Sequence, residues 1–210
     1  MRVRKNPAII LVLLLVFNQA QAQIPQRSGW WKFDDPTNLR KSEAGFGVDL
    51  TLIGTNAAAS GPASGNGAVL IGPGSYYKMQ LQIPSNGGGT FVNEYTLQYD
   101  FKVPDIGVWH SFFQTNVANS NDGDFFIYPS GVIGVSAVGY SAYSIKANEW
   151  YRMIISVKNG SYFNCYLDGN LVITGNVQSI DGRFSLESML LVFADENGED
   201  GNIYCSELAI

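Results

Sequence analysis

EWYRMIISVKNGSYFNCYLDGNLV, residues Glu149 to Val172, reads as one β-hairpin running into a third strand. On the first arm Tyr151, Met153, Ile155 and Val157 alternate with Arg152, Ile154 and Ser156. That period of two sends one set to a core and the other to an outer face. Phe163, Cys165 and Leu167 repeat the pattern on the second arm against Tyr162, Asn164 and Tyr166. Asn159-Gly160 and Asp168-Gly169 supply the two turns, and both pairs are read as type I′ because each central residue there needs a positive φ.

Upstream, YTLQYDFKV repeats the alternation over Tyr95 to Val103, with Tyr95, Leu97, Tyr99, Phe101 and Val103 on one face. Further short runs rich in Val, Ile, Tyr and Phe fall between Gly, Asn, Pro and Ser clusters: 30–34, 50–54, 68–71, 76–81, 109–115, 124–128, 132–136, 188–194 and 203–210. There is no sustained 3.6-residue apolar period and no internal repeat, so the fold class is all-β, two packed antiparallel sheets. The Gly-rich stretches 62–67 and 84–89 are short enough to be surface loops.

The first 22 residues stand outside that fold. Arg2, Arg4 and Lys5 precede the apolar run from Ala8 to Phe17, and Ala20-Gln21-Ala22 offers small residues to a signal peptidase. The expectation is a signal peptide over 1–22, one sandwich domain over 23–210, and a secreted, periplasmic or cell-surface location without a lipid-anchor cysteine. The apolar run is shorter than a spanning helix needs, so no membrane insertion is expected. The whole chain carries 13 Lys+Arg and 18 Asp+Glu, and loss of the leader removes three of the basic residues. So acidic a domain is no nucleic-acid binder, because that affinity comes from Lys and Arg neutralising phosphates.

WWKFDDP near the start, FFIYPSGVIGV, the Glu149 hairpin and the closing FADENGEDGNIYCSELAI together resemble the laminin G-like, concanavalin A-like lectin/glucanase group. The resemblance covers almost the whole mature chain and implies a concanavalin A-like jelly roll. Members of that group mostly bind glycans or proteins, often with a structural calcium, and many are accessory modules of secreted bacterial enzymes. It also implies that 31–34 and 207–210 are neighbouring strands, and that the hairpin and the last strand lie in different sheets.

Glucanases of this architecture place paired carboxylates on one strand, as Glu-x-Asp-x-Glu or a close variant. That spacing is missing, and Asp122 and Asp124 read as a solvated loop and not as an acid/base pair. His110 is the sole histidine and Ser111 beside it points to the opposite face, so no nucleophilic dyad is written here and the expectation is a non-enzyme. One His and two distant Cys cannot make a zinc site. Calcium suits oxygen-rich loops, which makes Asp195, Asn197 and Asp200 the candidate ligands, joined by Asp34 or Asp35 if the terminal strands pair; the alternative is an ordinary acidic loop.

For a ligand, aromatic rings that stack on the apolar face of a sugar are the informative residues. Trp109, His110 and Gln114 on one strand, with Tyr140 and Tyr143 nearby, form the candidate constellation on a concave sheet or its rim, whereas Trp30, Trp31 and Trp150 are assigned to packing. Export permits a bridge between Cys165 and Cys205; the alternative is two buried thiols. Asn159-Gly160-Ser161 fits a glycosylation sequon but is explained by its turn. The expected function is a secreted recognition module for a glycan or cell-surface protein. Its runner-up is an accessory domain of a longer secreted hydrolase, a phosphoesterase among the options, and a glycoside hydrolase ranks below both.

Overall fold

A computed structural model describes residues 26–120 and 123–210, so the expected leader and Asp122 lie outside the described residues. The chain forms β1 (Trp30–Trp31), β2 (Thr51–Ile53), β3 (Asn56–Ser60), β4 (Gly67–Ile71) and β5 (Tyr76–Gln80). It continues through β6 (Glu94–Lys102), β7 (His110–Gln114), β8 (Asp124–Ile127), β9 (Val132–Val135) and β10 (Gly139–Ser144). The remaining strands are β11 (Tyr151–Lys158), β12 (Tyr162–Leu167), β13 (Asn170–Gly175), β14 (Met189–Val192) and β15 (Ile203–Ala209). Two antiparallel sheets result, ordered β13-β12-β11-β6-β15-β4-β3 with β1 added to β15, and β10-β9-β8-β7-β14-β5-β2. This is a jelly-roll sandwich.

The alternating residues fall where their period puts them. Tyr95, Leu97, Tyr99 and Phe101 of β6 and Met153, Ile155 and Val157 of β11 are buried and face the second sheet. Aromatic contacts join the layers: Tyr99 and Phe101 meet Phe112 at centroid distances of 5.3 and 4.8 Å, and Phe125 meets Phe163 at 5.7 Å. Such pairs add roughly 0.5–1.5 kcal/mol each beyond the apolar area they bury. The terminal strands pair as expected, Trp30 opposite Ala209 and Trp31 opposite Leu208. The amides of Ser28 and Gly29 both donate to the Ile210 carbonyl, so the two ends of the described chain are hydrogen-bonded to each other.

Several expectations need correction. β1 stops at Trp31 instead of Asp34, and Phe33 takes a φ of 56°, which is incompatible with an extended strand. β3 and β10 were not expected as strands: one is Asn-Ala-Ala-Ala-Ser and the other Gly-Tyr-Ser-Ala-Tyr-Ser, sheet-edge segments lacking the apolar alternation that marks a half-buried strand. Asp168 and Gly169 both have positive φ, as type I′ requires, but at the other turn only Gly160 does. Asn159 instead turns its side chain inward, where its Nδ2 donates to Asn93 Oδ1 and Ser185 Oγ, so the sequon asparagine is buried.

The hairpin and the last strand share one sheet, with β11 and β6 between β12 and β15. Three strand spacings separate Cys165 from Cys205 by about 14 Å across the sheet, and the register sets them four residues further apart along it, well beyond the reach of a disulfide. Both are free, buried thiols, and burial pushes the Cys165 thiol up to about 12.

Candidate functional site

Trp109, Tyr140 and the acidic loop after β14, one part of each predicted group, lie at one end of the smaller sheet, on its outer face. In β8, Phe125 and Ile127 point into the core while Asp124, Phe126 and then Tyr128 point outward. Trp109, just ahead of β7, lies edge-on to Phe126 at 5.6 Å and against Tyr128 at 4.0 Å. Tyr128 in turn meets Tyr140 of β10 edge-to-face at 5.0 Å, with their phenol oxygens 2.7 Å apart. Phe126, Trp109, Tyr128 and Tyr140 thus form a continuous train of rings running from a buried floor to an exposed rim, with Tyr140 46% exposed.

The acidic loop after β14 closes beside this train. Gly201 donates its amide to the Trp109 carbonyl at 2.8 Å. A Cβ at Gly201 would stand 2.6 Å from that same oxygen, so the approach requires glycine. Glu199 reaches Tyr128 electrostatically: burial first, then the hydrogen bond with Tyr140 and the charge of Glu199 hold the Tyr128 phenol above its usual range. Burial, with Asp195 and Glu196 close by, also raises the Glu199 carboxyl. The Tyr128 phenol thus has both the Tyr140 hydroxyl and the Glu199 carboxyl as neighbours.

The other candidates divide. Gln114 is fully buried: its Nε2 donates to Asn119 Oδ1 and Glu196 Oε2, both at 3.0 Å, so it braces the acidic loop from beneath. His110 is also fully buried and is not a surface or ligand-contacting residue; its Nε2 lies 2.7 Å from the Asp105 carbonyl. Tyr143 is exposed, but its hydroxyl turns toward the Tyr151 phenol, away from the Trp109 train. Asp124 sits on β8, largely buried, and not in a solvated loop. Tyr128 escaped the sequence reading, although the outward alternation Asp124, Phe126, Tyr128 carries the signal for it.

The predicted calcium ligands do not come together. Asp195 Oδ2 accepts the amides of Asn197 and Glu199 at 2.8 and 2.7 Å, and Asp200 Oδ2 accepts the Gly74 amide at 2.6 Å. Asp34 accepts the Gly67 amide at 2.7 Å, and Asp35 is turned onto Thr37. These carboxylates serve as loop braces, and among the described residues no three His, Cys, Asp or Glu side chains converge as a metal site.

A concavity lies on the opposite sheet. It is a groove of about 770 Å³ over the outer faces of β6 and β11, floored by Thr96, Gln98, Ile154 and Ser156. Phe46, Ile210 and Tyr162 stand at its sides.

No protein-family model matches the chain, and no characterised protein matches it significantly in sequence. Solved structures do match in shape. Domain 4 of AbnA, a GH43 extracellular arabinanase from Geobacillus stearothermophilus, solved with arabinotriose, superposes with a TM-score of 0.61 at 17% identity, over 88% of this chain and 91% of that one. The receptor-binding domain of botulinum neurotoxin C/D mosaic serotype gives 0.58 at 12% identity, over 87% of this chain and 47% of that one. The botulinum neurotoxin serotype D ligand-binding domain, solved with N-acetylneuraminic acid, gives 0.56 at 12%, over 87% and 46%. The chain spans about half the length of the toxin domains. The likeness is one of fold.

Proposed function

We propose that this is an exported, non-catalytic carbohydrate-recognition domain whose binding surface is the rim formed by Trp109, Tyr128 and Tyr140, with Glu199 beside it. The ring train carries this reading: rings that emerge from a rigid buried base present apolar faces to a sugar without an ordering cost, and Glu199 and the phenols take its hydroxyls. The structural neighbours solved with arabinotriose and N-acetylneuraminic acid support a glycan as the ligand class. Export rests on the basic, apolar and Ala-Gln-Ala sequence at the start of the chain. A histidine held against a backbone carbonyl in the core is poorly placed as a general base, which supports the non-enzyme reading.

The test is a glycan array followed by titration calorimetry on the best binder, with and without chelator. Trp109→Ala is expected to weaken binding about 30-fold or more, the loss of one interfacial hot spot. Binding that is unchanged in both Trp109→Ala and Tyr140→Ala would overturn the rim, and glycan hydrolysis abolished by Asp124→Asn would overturn the non-enzyme reading. A second reading, an accessory domain of a longer secreted hydrolase, is favoured by the arabinanase match, which is one domain of a larger enzyme.

A further inference from the structure

We propose that the groove on the larger sheet is a second binding site, for an uncharged stretch of glycan, so that the domain holds ligands on two opposite faces. The choice of a saccharide rests partly on the reading above; the position of the site does not.

The groove's volume lies within the roughly 300–1,000 Å³ typical of ligand sites. Its floor is polar in the middle and apolar around it. Thr96 and Ser156 present hydroxyls, 3.4 Å apart, beside the Gln98 amide, while Ile154, Phe46 and Ile210 supply flat apolar surface. The Gln98 nitrogen has no hydrogen-bond partner among the described residues. Leaving such a donor unmet is costly, and rotation about the broad terminal torsion of the side chain lets it meet an acceptor in the groove.

Charge and topology select the occupant. The two charged side chains that line the groove among the described residues are already paired: Arg27 lies 3.6 Å from Glu207 and over the Trp30 ring, and Glu94 lies 3.1 Å from Lys158. Neither of these side chains is left unbalanced to attract an acidic glycan or a phosphate. An extended peptide would bind by adding a strand, but β6 is flanked by β11 and β15, and β11 by β6 and β12, so the floor offers no free edge. An acyl chain would leave the Gln98 amide unmet. A neutral sugar satisfies both the hydroxyl and amide groups and the apolar sides.

The experiment screens wild type, Trp109→Ala, Gln98→Leu and Ser156→Trp on an array of neutral and sialylated or uronic-acid glycans, with thermal melts to verify folding. Neutral glycans should remain bound by Trp109→Ala, weaken three- to tenfold in Gln98→Leu, the loss of one hydrogen bond, and be lost in Ser156→Trp, where an indole fills the groove. If Ser156→Trp fails to fold, Gln98→Leu decides alone. Wild-type binding by both groove variants, or binding of acidic glycans only, would overturn the groove. Loss of every hit in Trp109→Ala would overturn it while leaving the rim intact. Persistence of every hit in Trp109→Ala with loss in Ser156→Trp would leave the groove and remove the rim. No hit for the wild type would overturn both.

Discussion

Asn93→Ala tests the buried polar hub that anchors the loop bordering the groove. Asn93 is fully buried at the entry to β6. Its Oδ1 accepts from the Asp181 amide at 2.8 Å, Ser185 Oγ at 2.7 Å and Asn159 Nδ2 at 3.0 Å. Its Nδ2 donates to Gly88 O at 2.7 Å and Asp181 Oδ1 at 2.8 Å. Alanine removes all of these. Asn159 keeps its bond to Ser185, but the Asp181 amide and the Ser185 hydroxyl each lose the partner described, at about 1–3 kcal/mol per stranded buried donor. The expected destabilisation is therefore about 2–6 kcal/mol, lowering the urea midpoint by roughly 1 to 2 M for a slope near the upper end of the usual range. Urea unfolding followed by tryptophan fluorescence measures it. Asn93→Asp keeps the acceptor but sets a second carboxylate against Asp181, so its deficit should shrink as the pH falls. A loss below about 1 kcal/mol in Asn93→Ala would refute the view that this network holds the loop.

Gly201→Ala should drive the acidic loop off the Trp109 carbonyl, costing about 1–3 kcal/mol as an overpacked contact and weakening glycan binding at the rim; calorimetric melting and titration check it together. Asp181 is held down to about 2, first by the Asn93 amide and then by the Thr90 amide. Its contribution is present above the unfolded carboxylate pKa and is lost as the pH falls through the folded value. Stability should therefore decline between about pH 4 and pH 2, and less so in Asp181→Asn, as acid titration by circular dichroism will show. Cys165 and Cys205 should resist a thiol reagent in the native protein and react at unfolding, so a mass shift without denaturant would contradict their burial.

The hairpin and YTLQYDFKV were legible because each strand sits between neighbours with one face in the core, which forces alternation into the sequence. β3 and β10 lie at sheet edges, where Ala, Ser and Gly suffice and no pattern is imposed. The rim was half legible. Trp109, Tyr140 and the acidic loop were named, but their adjacency comes from Gly201 meeting Trp109 across some ninety residues, a contact no local spacing encodes. Gln114 was misplaced because a polar residue in a strand looks exposed in sequence, whereas loops here cover it and give it partners, and His110 because it lies opposite Ile127 on the inward side of β7. The carboxylates named for calcium are engaged with backbone amides, because an acidic, glycine-rich loop can spend them on nearby N–H groups as readily as on a cation. The groove left no trace in the sequence, since its floor is made of ordinary outward-facing strand positions.

The amides of Ser28 and Gly29 resting on the Ile210 carbonyl have a practical corollary for protein engineering. A short linker could join these ends, and the chain could be reopened at the exposed Asp168-Gly169 turn, leaving every sheet neighbour in place. By the same geometry, the domain could be spliced into a surface loop of a carrier protein, entering and leaving through adjacent points, with both faces still presented to solvent.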